Sequence, residues 1–235
     1  MTISLIIPAH NEEKYIGSCL ECVIKQSDWY IDEIIVIDNA STDHTKEIAE
    51  SYDNVKVVTI KEKWPTFARQ RWYKESIGDI LAFIDADTRM PAWRATKLKE
   101  QFTQDVGFVS GPYNYYDFRW YGQIGNRIYR RLLAYPMYLI CGYLGVWGNF
   151  AITRKVLDNI NWFDITIAFY GDDTDIARRA SKYCKTKFVL SLTMPTSSRR
   201  FTGQWRTKTV GTYIINFLSQ AIRHKPVTKK YQDFR

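Results

Sequence analysis

Two loops that many proteins use to bind nucleotides are missing from this sequence. No G-x-G-x-x-G follows the first apolar run, which argues against a dinucleotide site. No G-x-x-x-x-G-K-[ST] occurs either, which excludes a P-loop. Any bound phosphate must therefore be neutralised in another way.

The sequence is also poor in ligands for soft metals, with four cysteines and three histidines. Cys19 and Cys22 form a C-x-x-C, but Cys141 and Cys184 are isolated and no histidine cluster completes a zinc site. On a helix, positions 19 and 22 face the core beside Ile16. We therefore expect buried structural thiols in a reducing compartment.

Long apolar runs are scarce, and the longest covers residues 132–152. It contains Pro136, three glycines and Asn149, so we expect a helix and then a strand, with an aromatic face that contacts a membrane, and no true span. The chain enters the strand ISLIIP at once and shows no signal peptide. The predicted location is the cytoplasm, with peripheral contact at the cytoplasmic face of the membrane.

Composition predicts a globular protein with an anionic partner. The 235 residues are 46% hydrophobic and 25% charged, which suits one large domain. The net charge of +8 favours nucleic acid, an anionic membrane or a phosphorylated small molecule. Basic residues crowd the last forty positions, where a solvated basic surface is an equally good interpretation.

The first half alternates strands and helices. Four apolar runs read as buried strands: TISLIIP, DEIIVID, VKVVTI and GDILAFID. One helix is predicted at about 12–25, a second ends at about residue 52, a third covers about 65–77, and a fourth begins at Pro91. This order predicts an α/β fold with a parallel sheet. The second half is less regular, with a strand in GVWGNFAIT, a strand near KFVLSL, a helix that starts in YGDDTDIARRA and a last helix at about 206–223.

Three predicted strands end in polar residues: PAHNEE, DNASTD and DADT. The carboxyl ends of parallel strands meet at one edge, where ligands of such sheets bind. Asp85 and Asp87, at positions i and i+2, face the same side and can share a divalent ion such as Mg²⁺ or Mn²⁺. The plain alternative is two surface acids in a turn.

A second acidic cluster contains Asp172, Asp173 and Asp175. It precedes a helix, so these acids could simply complement the helix dipole. Alternatively, one of them is a general base, because mutual repulsion raises the pKa of neighbouring carboxyls.

Taken in order, the motifs IIPAHNEE, VIDNASTD, FIDADT, GNFAITRK and GDDTDIARR resemble the family 2 glycosyltransferases with the GT-A fold, over about residues 3–180. The resemblance implies a Rossmann-like, mostly parallel sheet flanked by helices, with an irregular acceptor-binding second half. Together with the absence of a clear linker, it predicts a single domain over 1–235, with a nucleotide-binding half (1–90), a donor-sugar and acceptor half (91–205) and a basic C-terminal helix and tail (206–235).

The resemblance also implies roles for individual residues. The nucleotide-sugar, which we expect to be a UDP-sugar, would contact seven residues: Pro8, Ala9, Asn11, Glu12, Asp38, Arg69 and Asp85. The metal, Mn²⁺ or Mg²⁺, would be held by Asp87 with Asp85. The sugar or acceptor would lie near Gly148, Asn149 and Asp172, and Asp173 would be the catalytic base of an inverting transfer to a hydroxyl of a glycan or lipid-linked glycan, as in cell envelope polysaccharides.

The sequence departs from the family pattern in two places. Asp172 stands where a glutamate is usual, and GQWRTK lacks the Q-x-x-R-W order of processive members. Three alternatives stay open: a polyprenyl-phosphate sugar synthase at the membrane surface, a nucleic-acid-binding module, and an inactive relative that only binds. No nucleic acid is expected, because the predicted site edge is acidic.

Overall fold

The first half of the chain folds as predicted into alternating strands and helices. In this computed structural model the described residues are 1–27, 30–60, 71–164, 167, 171–199, 215–216, 219 and 227–228. The elements are β1 (Ile3–Ala9), α1 (Ile16–Ser27), β2 (Glu33–Asn39), α2 (Thr45–Glu50), β3 (Lys56–Ile60) and β4 (Ile80–Ile84). Residues 71–75 are helical, and the rest of the predicted helix to their N-terminal side lies outside the described residues.

The second half contains shorter strands and an extended helical segment. It begins with α3 (Arg94–Gln101), β5 (Val106–Ser110), β6 (Tyr113–Tyr115) and α4 (Trp120–Tyr129). A π-helical turn (Arg130–Ala134) joins α4 to α5 (Tyr135–Cys141). Then follow β7 (Asn149–Thr153), α6 (Arg154–Asn159), α7 (Asp172–Ala180), β8 (Lys185–Phe188) and β9 (Met194–Thr196).

Seven strands form one sheet in the order β3-β2-β1-β4-β7-β5-β8, and β6 pairs with β9 beside it. β1 runs parallel to both β2 and β4, β2 parallel to β3, and β5 parallel to β8. β7 is antiparallel to its neighbours β4 and β5. The prediction of an α/β fold with a mostly parallel sheet is confirmed.

Both faces of the sheet are buried, which explains the continuous apolar runs. Along β4, Ile80, Ala82 and Ile84 pack in the cluster that contains α1, whereas Leu81 and Phe83 pack on the other side with α7. Adjacent residues of a strand point to opposite faces, so a strand covered on both faces needs apolar side chains throughout.

The apolar run at residues 132–152 divides into helix and strand, as predicted. α5 ends at Gly142, whose φ of +76° is the left-handed conformation common at helix ends. Pro136 lacks the N–H that a regular helix would direct to the preceding turn, which accounts for the π-helical turn before it. Among the described residues, no helix has both the length and the apolarity needed to cross a bilayer.

The four cysteines are free thiols, and Cys19 is buried while Cys22 is partly exposed. Burial raises the pKa of the Cys19 thiol strongly, and the nearby carboxylate of Asp87 adds to the increase. The prediction that both thiols of the C-x-x-C are buried is thus wrong for Cys22, because position 22 lies toward the edge of the face that α1 packs on the sheet. Most of the predicted C-terminal helix and tail lies outside the described residues.

Candidate active site

Three parallel strands deliver the predicted polar residues to one edge of the sheet. Ala9, the last residue of β1, pairs in register with Asp38 near the end of β2. β4 runs beside β1 in the same direction, so Asp85 and Asp87 follow at this same edge. Pro8 and Ala9 belong to β1 itself, where they can offer a ligand only their backbone and small side chains.

Asn11 ties the turn after β1 to the turn after β2. Its φ of +54° lies in the left-handed region. Its Oδ1 accepts a hydrogen bond of 2.8 Å from the Thr42 N–H, and its own N–H donates to Ser41 Oγ at 3.0 Å. Asp38 is buried and accepts from the Ser41 N–H at 3.2 Å. These hydrogen bonds hold Asn11 and Asp38, two of the residues predicted to contact the nucleotide, in fixed positions.

Asp85 is partly buried against Tyr113 and Gly148. The Tyr113 hydroxyl lies 2.7 Å from Asp85 Oδ2 and also within hydrogen-bonding reach of the Trp147 carbonyl. Gly148 has a φ of +70°, and a Cβ there would collide with both the Tyr113 hydroxyl and the Asp85 carboxyl. Only glycine therefore fits at position 148 beside this carboxylate.

Arg199 joins two of the predicted site acids. Its Nη2 lies 2.6 Å from Glu12 Oε1, and its Nε lies 2.9 Å from Asp87 Oδ2. Its guanidinium also lies 4.7 Å from the centre of the Tyr15 ring. Both acids are almost fully buried, and Thr196 donates a further hydrogen bond of 3.0 Å to Asp87 Oδ1. Asp87 thus has a cationic partner supplied by the protein.

The donor set also fits a hard divalent ion. Asp85 and Asp87 offer carboxylate oxygens, which Mg²⁺ and Mn²⁺ prefer. Within the described part of the chain, no group of three or more His, Cys, Asp or Glu side chains is arranged to hold a metal. An ion held by these two carboxylates would therefore need further oxygens from a substrate, such as those of a diphosphate.

Asp173 lies in the first turn of α7, beside a second acid. Its Oδ1 accepts from the Thr174 N–H at 2.7 Å, and its Oδ2 accepts from the Trp147 N–H at 3.3 Å. Although part of the residue is exposed, burial of the carboxyl raises its pKa to about 7, and the charge of Asp172 contributes to the increase. Asp173 can therefore accept a proton near neutral pH.

The peptide groups of Trp147 connect the two acidic sites. Its N–H faces Asp173 and its carbonyl faces the Tyr113 hydroxyl, which in turn contacts Asp85. The structure therefore links two acids that are 88 positions apart in the sequence through two residues, Tyr113 and Trp147. This is the arrangement needed if a donor bound at Asp85 is to meet a base at Asp173.

Asp175, the third acid of the cluster, has structural partners. It is buried and forms ion pairs with Arg178 at 2.8 Å and Arg179 at 2.7 Å, one turn along the same helix. For Asp175 the plain interpretation, a structural acid at the start of a helix, is the better one.

Asn149 is also engaged by the protein itself. It is fully buried, its Oδ1 accepts from Arg94 at 2.7 Å, and its Nδ2 donates to the carbonyls of Pro112 and Leu192, each at 3.0 Å. The side chain predicted to lie near sugar or acceptor thus points into the core, and its neighbour Gly148 is the residue that faces the site.

One predicted site residue remains to be placed, and two residues of the site were missed from the sequence. Arg69 lies outside the described residues, as does the segment GQWRTK. Tyr113 and Arg199 were not predicted for the site. Their signals are weak, since Tyr113 belongs to an aromatic-rich stretch and Arg199 is one of many basic residues near the C-terminus.

Comparison with known proteins identifies what this edge of the sheet resembles. The family model Glycosyl transferase family 2 matches residues 4–160. Glycosyltransferase AglE of Haloferax volcanii is 40% identical over 93 residues, which are 36% of this chain and 30% of AglE. The matched part thus spans less than a third of that relative.

Two solved structures share the fold over nearly the whole chain. Glucosyl-3-phosphoglycerate synthase of Mycobacterium tuberculosis, in complex with Mn²⁺, UDP and phosphoglyceric acid, has a TM-score of 0.68 at 21% identity and covers 94% of this chain and 78% of its own. Mannosyltransferase PcManGT of Pyrobaculum calidifontis, with GDP-Man and Mn²⁺, has a TM-score of 0.70 at 20% identity and covers 94% and 64%. At these identities the likeness establishes the GT-A fold.

Proposed function

The chain belongs to glycosyl transferase family 2, and on that premise we propose that it transfers a sugar from a nucleotide-sugar, most simply a UDP-sugar, to a hydroxyl group of an acceptor with inversion at the anomeric carbon. The observation that carries this proposal is the environment of the Asp173 carboxyl. Its carboxyl has a pKa raised to about 7 by burial and by Asp172, and it contacts Trp147, whose carbonyl contacts Tyr113, the hydrogen-bond partner of Asp85.

In the proposed reaction Asp173 removes the proton from the acceptor hydroxyl. The hydroxyl oxygen forms a bond to the anomeric carbon, and the bond from that carbon to the diphosphate oxygen breaks on the opposite face. The proton ends on Asp173, and the electron pair leaves with the nucleotide. The Trp147 N–H donates a hydrogen bond of 3.3 Å to Asp173 Oδ2 and so holds the catalytic base in place. Asp172, on the same helical turn, would face the sugar or acceptor.

We assign the donor to the ends of β1, β2 and β4. Asp38 would contact the nucleobase, the turn with Asn11 would surround the nucleotide, and Asp85 and Asp87 would hold a divalent ion. When bound, that ion would supply positive charge to the departing diphosphate. Two solved relatives of the fold carry Mn²⁺ with a nucleotide or nucleotide-sugar, which supports this assignment. Arg69 would approach the nucleobase or the phosphates of the nucleotide.

The proposed acceptor is a glycan or lipid-linked glycan on the cytoplasmic side of a membrane. A polyprenyl-phosphate acceptor is the weaker candidate, because a phosphate is already an anion and needs no base such as Asp173. A nucleic-acid partner gains no support, because the comparisons give glycosyltransferases and the site edge is acidic.

The test is a panel of UDP- and GDP-sugars screened for Mn²⁺-dependent thermal stabilisation and for slow hydrolysis. We expect at least one donor to stabilise the protein only when Mn²⁺ is present. The Asp173→Asn variant should bind that donor normally and lose transfer by roughly 10²–10⁴-fold, the usual contribution of a general base. A matched control is Asp105→Asn, an exposed acid whose main contact is Thr103.

Two results would reject the proposal. Failure of every donor to bind with Mn²⁺ would remove the enzyme assignment. Normal transfer by the Asp173→Asn variant would remove the base assignment while leaving the donor site intact.

A further inference from the structure

The helical segment at residues 120–141 leaves much of its apolar surface in solvent. Nine of the sixteen large hydrophobic side chains exposed in the described part of the chain lie between positions 120 and 140. Trp120 is 74% exposed, Leu132 is 72% exposed and Ile140 is 81% exposed. Concentrated exposure of this kind marks an interaction surface, since scattered apolar residues are the usual state of a protein surface.

These side chains lie along one side of the segment. Trp120, Ile124, Ile128 and Leu132 recur every four residues, which places them on one helical stripe, and Ile140 continues it two turns later. We call these five residues the apolar face. The opposite side packs on the protein, where Ala134 is buried and Asn126 donates a hydrogen bond of 3.0 Å to the Tyr113 carbonyl.

The charge around the apolar face has one sign. Arg119, Arg127 and Arg131 are exposed, and Arg127 and Arg131 each directly precede a residue of the face. The sequence has no Asp or Glu between Asp117 and Asp158. Apolar and aromatic side chains bordered by arginines are complementary to an anionic lipid surface, which accepts both kinds of group at one depth.

The segment is directly connected to the candidate active site. The hydrogen bond from Asn126 holds Tyr113, whose hydroxyl contacts Asp85. Tyr129 is half exposed, yet burial of its hydroxyl end raises its pKa and the nearby charge of Asp173 raises it further. A surface that received this segment would therefore lie next to the proposed base.

We propose that the apolar face is a docking surface for an anionic lipid bilayer, on which the segment at 120–141 lies in the interface and presents the active site to an acceptor carried by the membrane. Docking itself is independent of the proposed function, whereas delivery of a lipid-linked acceptor rests on it. No part of the segment needs to cross the bilayer.

The experiment is co-sedimentation of the full chain with phosphatidylcholine vesicles that contain or lack phosphatidylglycerol. The wild-type chain should bind the anionic vesicles, more weakly as salt increases. The Ile128→Gln/Leu132→Gln double variant should lose at least about tenfold in partitioning, because two aliphatic side chains no longer enter the interface. The Arg127→Gln/Arg131→Gln double variant should lose about thirtyfold on anionic vesicles at low salt, at about 1 kcal/mol per charge.

Matched controls separate docking from unfolding and from activity. Ile77 is 78% exposed before β4, at the sheet edge opposite the site, so Ile77→Gln should bind vesicles like the wild type. All substituted residues are exposed, and unchanged melting temperatures would show that the variants fold. Donor hydrolysis with Mn²⁺, measured without vesicles, reports the proposed function independently.

Three outcomes would overturn the docking proposal. The wild type could fail to bind anionic vesicles, or both double variants could bind as the wild type does. The third is a dimer in light scattering that the Ile128→Gln/Leu132→Gln variant abolishes while no vesicles are bound, which would assign the face to a second copy of the chain. Vesicle binding without donor hydrolysis would instead reject the proposed function and leave docking in place.

Discussion

Replacement of Arg199 by methionine removes the cation that Glu12 and Asp87 share. Methionine keeps much of the length and volume of the side chain, so the main change is electrostatic. The two carboxylates are 3% and 6% exposed, and the guanidinium lies 2.6 Å from one and 2.9 Å from the other. The variant therefore tests how much this cation contributes to a folded protein without metal.

The expected loss follows from the burial of the three groups. Removing one partner of a buried ion pair costs about 3–5 kcal/mol, because the remaining charge keeps its desolvation penalty. The Arg199 side chain is 23% exposed, so water reaches part of the network and the lower end applies, about 3 kcal/mol. For a chain of 235 residues this corresponds to a fall in Tm of roughly 6–12 °C.

The assay is thermal unfolding in the presence of a chelator, and then with Mn²⁺ and UDP. Arg71→Met is the matched control, since Arg71 is 56% exposed and lies 3.3 Å from Glu75 in a surface ion pair. Such pairs contribute about 0–1 kcal/mol, so the control should melt within about 4 °C of the wild type. If Arg199 and a divalent ion share the Asp87 carboxylate, Mn²⁺ with UDP should stabilise the Arg199→Met variant more than the wild type.

Two results would refute this reasoning. A chelated Arg199→Met variant that melts no lower than the Arg71→Met control would show that the network contributes little to stability. An equal gain from Mn²⁺ and UDP in wild type and variant would show that the arginine and the ion do not compete for Asp87.

Four further predictions concern the site itself. Transfer should rise with pH through an apparent pKa of about 7 and fall roughly tenfold per unit below it, because Asp173 must be deprotonated to act; a flat profile from pH 5 to 8 would contradict this. The same raised pKa means that the protonated Asp173 carboxyl favours the folded state, fully so below about pH 4. This contribution to stability is lost as pH rises through 7, where the buried carboxyl becomes charged. The Asp173→Asn variant should therefore be more stable than the wild type at pH 8 in urea unfolding. Gly148→Ala should cost about 1–3 kcal/mol from its positive φ, in addition to the clash with Asp85, and weaken Mn²⁺-dependent donor binding; a normal melting temperature and normal binding would show that the backbone adapts. Tyr113→Phe removes one hydroxyl and should cost about 1 kcal/mol in urea unfolding, with the donor KM raised more than kcat is lowered; an unchanged KM would detach Tyr113 from the donor site.

The strand-end residues were predictable because parallel strands leave few choices. Apolar runs covered on both faces must end where the sheet ends, so the acids that follow them, Asp38, Asp85 and Asp87, had to meet at one edge. The order of the runs was enough to place them, without knowledge of any side-chain contact.

The long-range contacts were not predictable from local pattern. Arg199 reaches Glu12 across 187 positions, and nothing in the composition of its neighbourhood distinguishes it from other basic residues near it. Asn149 illustrates the reverse case. The resemblance placed it beside the sugar, but the buried Arg94 at the start of α3 donates to its amide oxygen, and this contact depends on how α3 packs against the sheet.

The reversed direction of β7 has a consequence for protein engineering. A parallel strand brings its carboxyl end to the site, but β7 runs the other way and brings its first residue, so the chain enters the site edge through residues 145–148. The chain between β6 and β7, residues 116–148, therefore forms one continuous segment outside the seven-stranded sheet. A chimera that exchanges residues 116–144 for the equivalent segment of another member of the family would keep Asp38, Asp85, Asp87 and Asp173, and would replace Asn126, whose hydrogen bond holds Tyr113. Such a chimera would test whether this segment determines the choice of acceptor, as proposed for the second half of the chain.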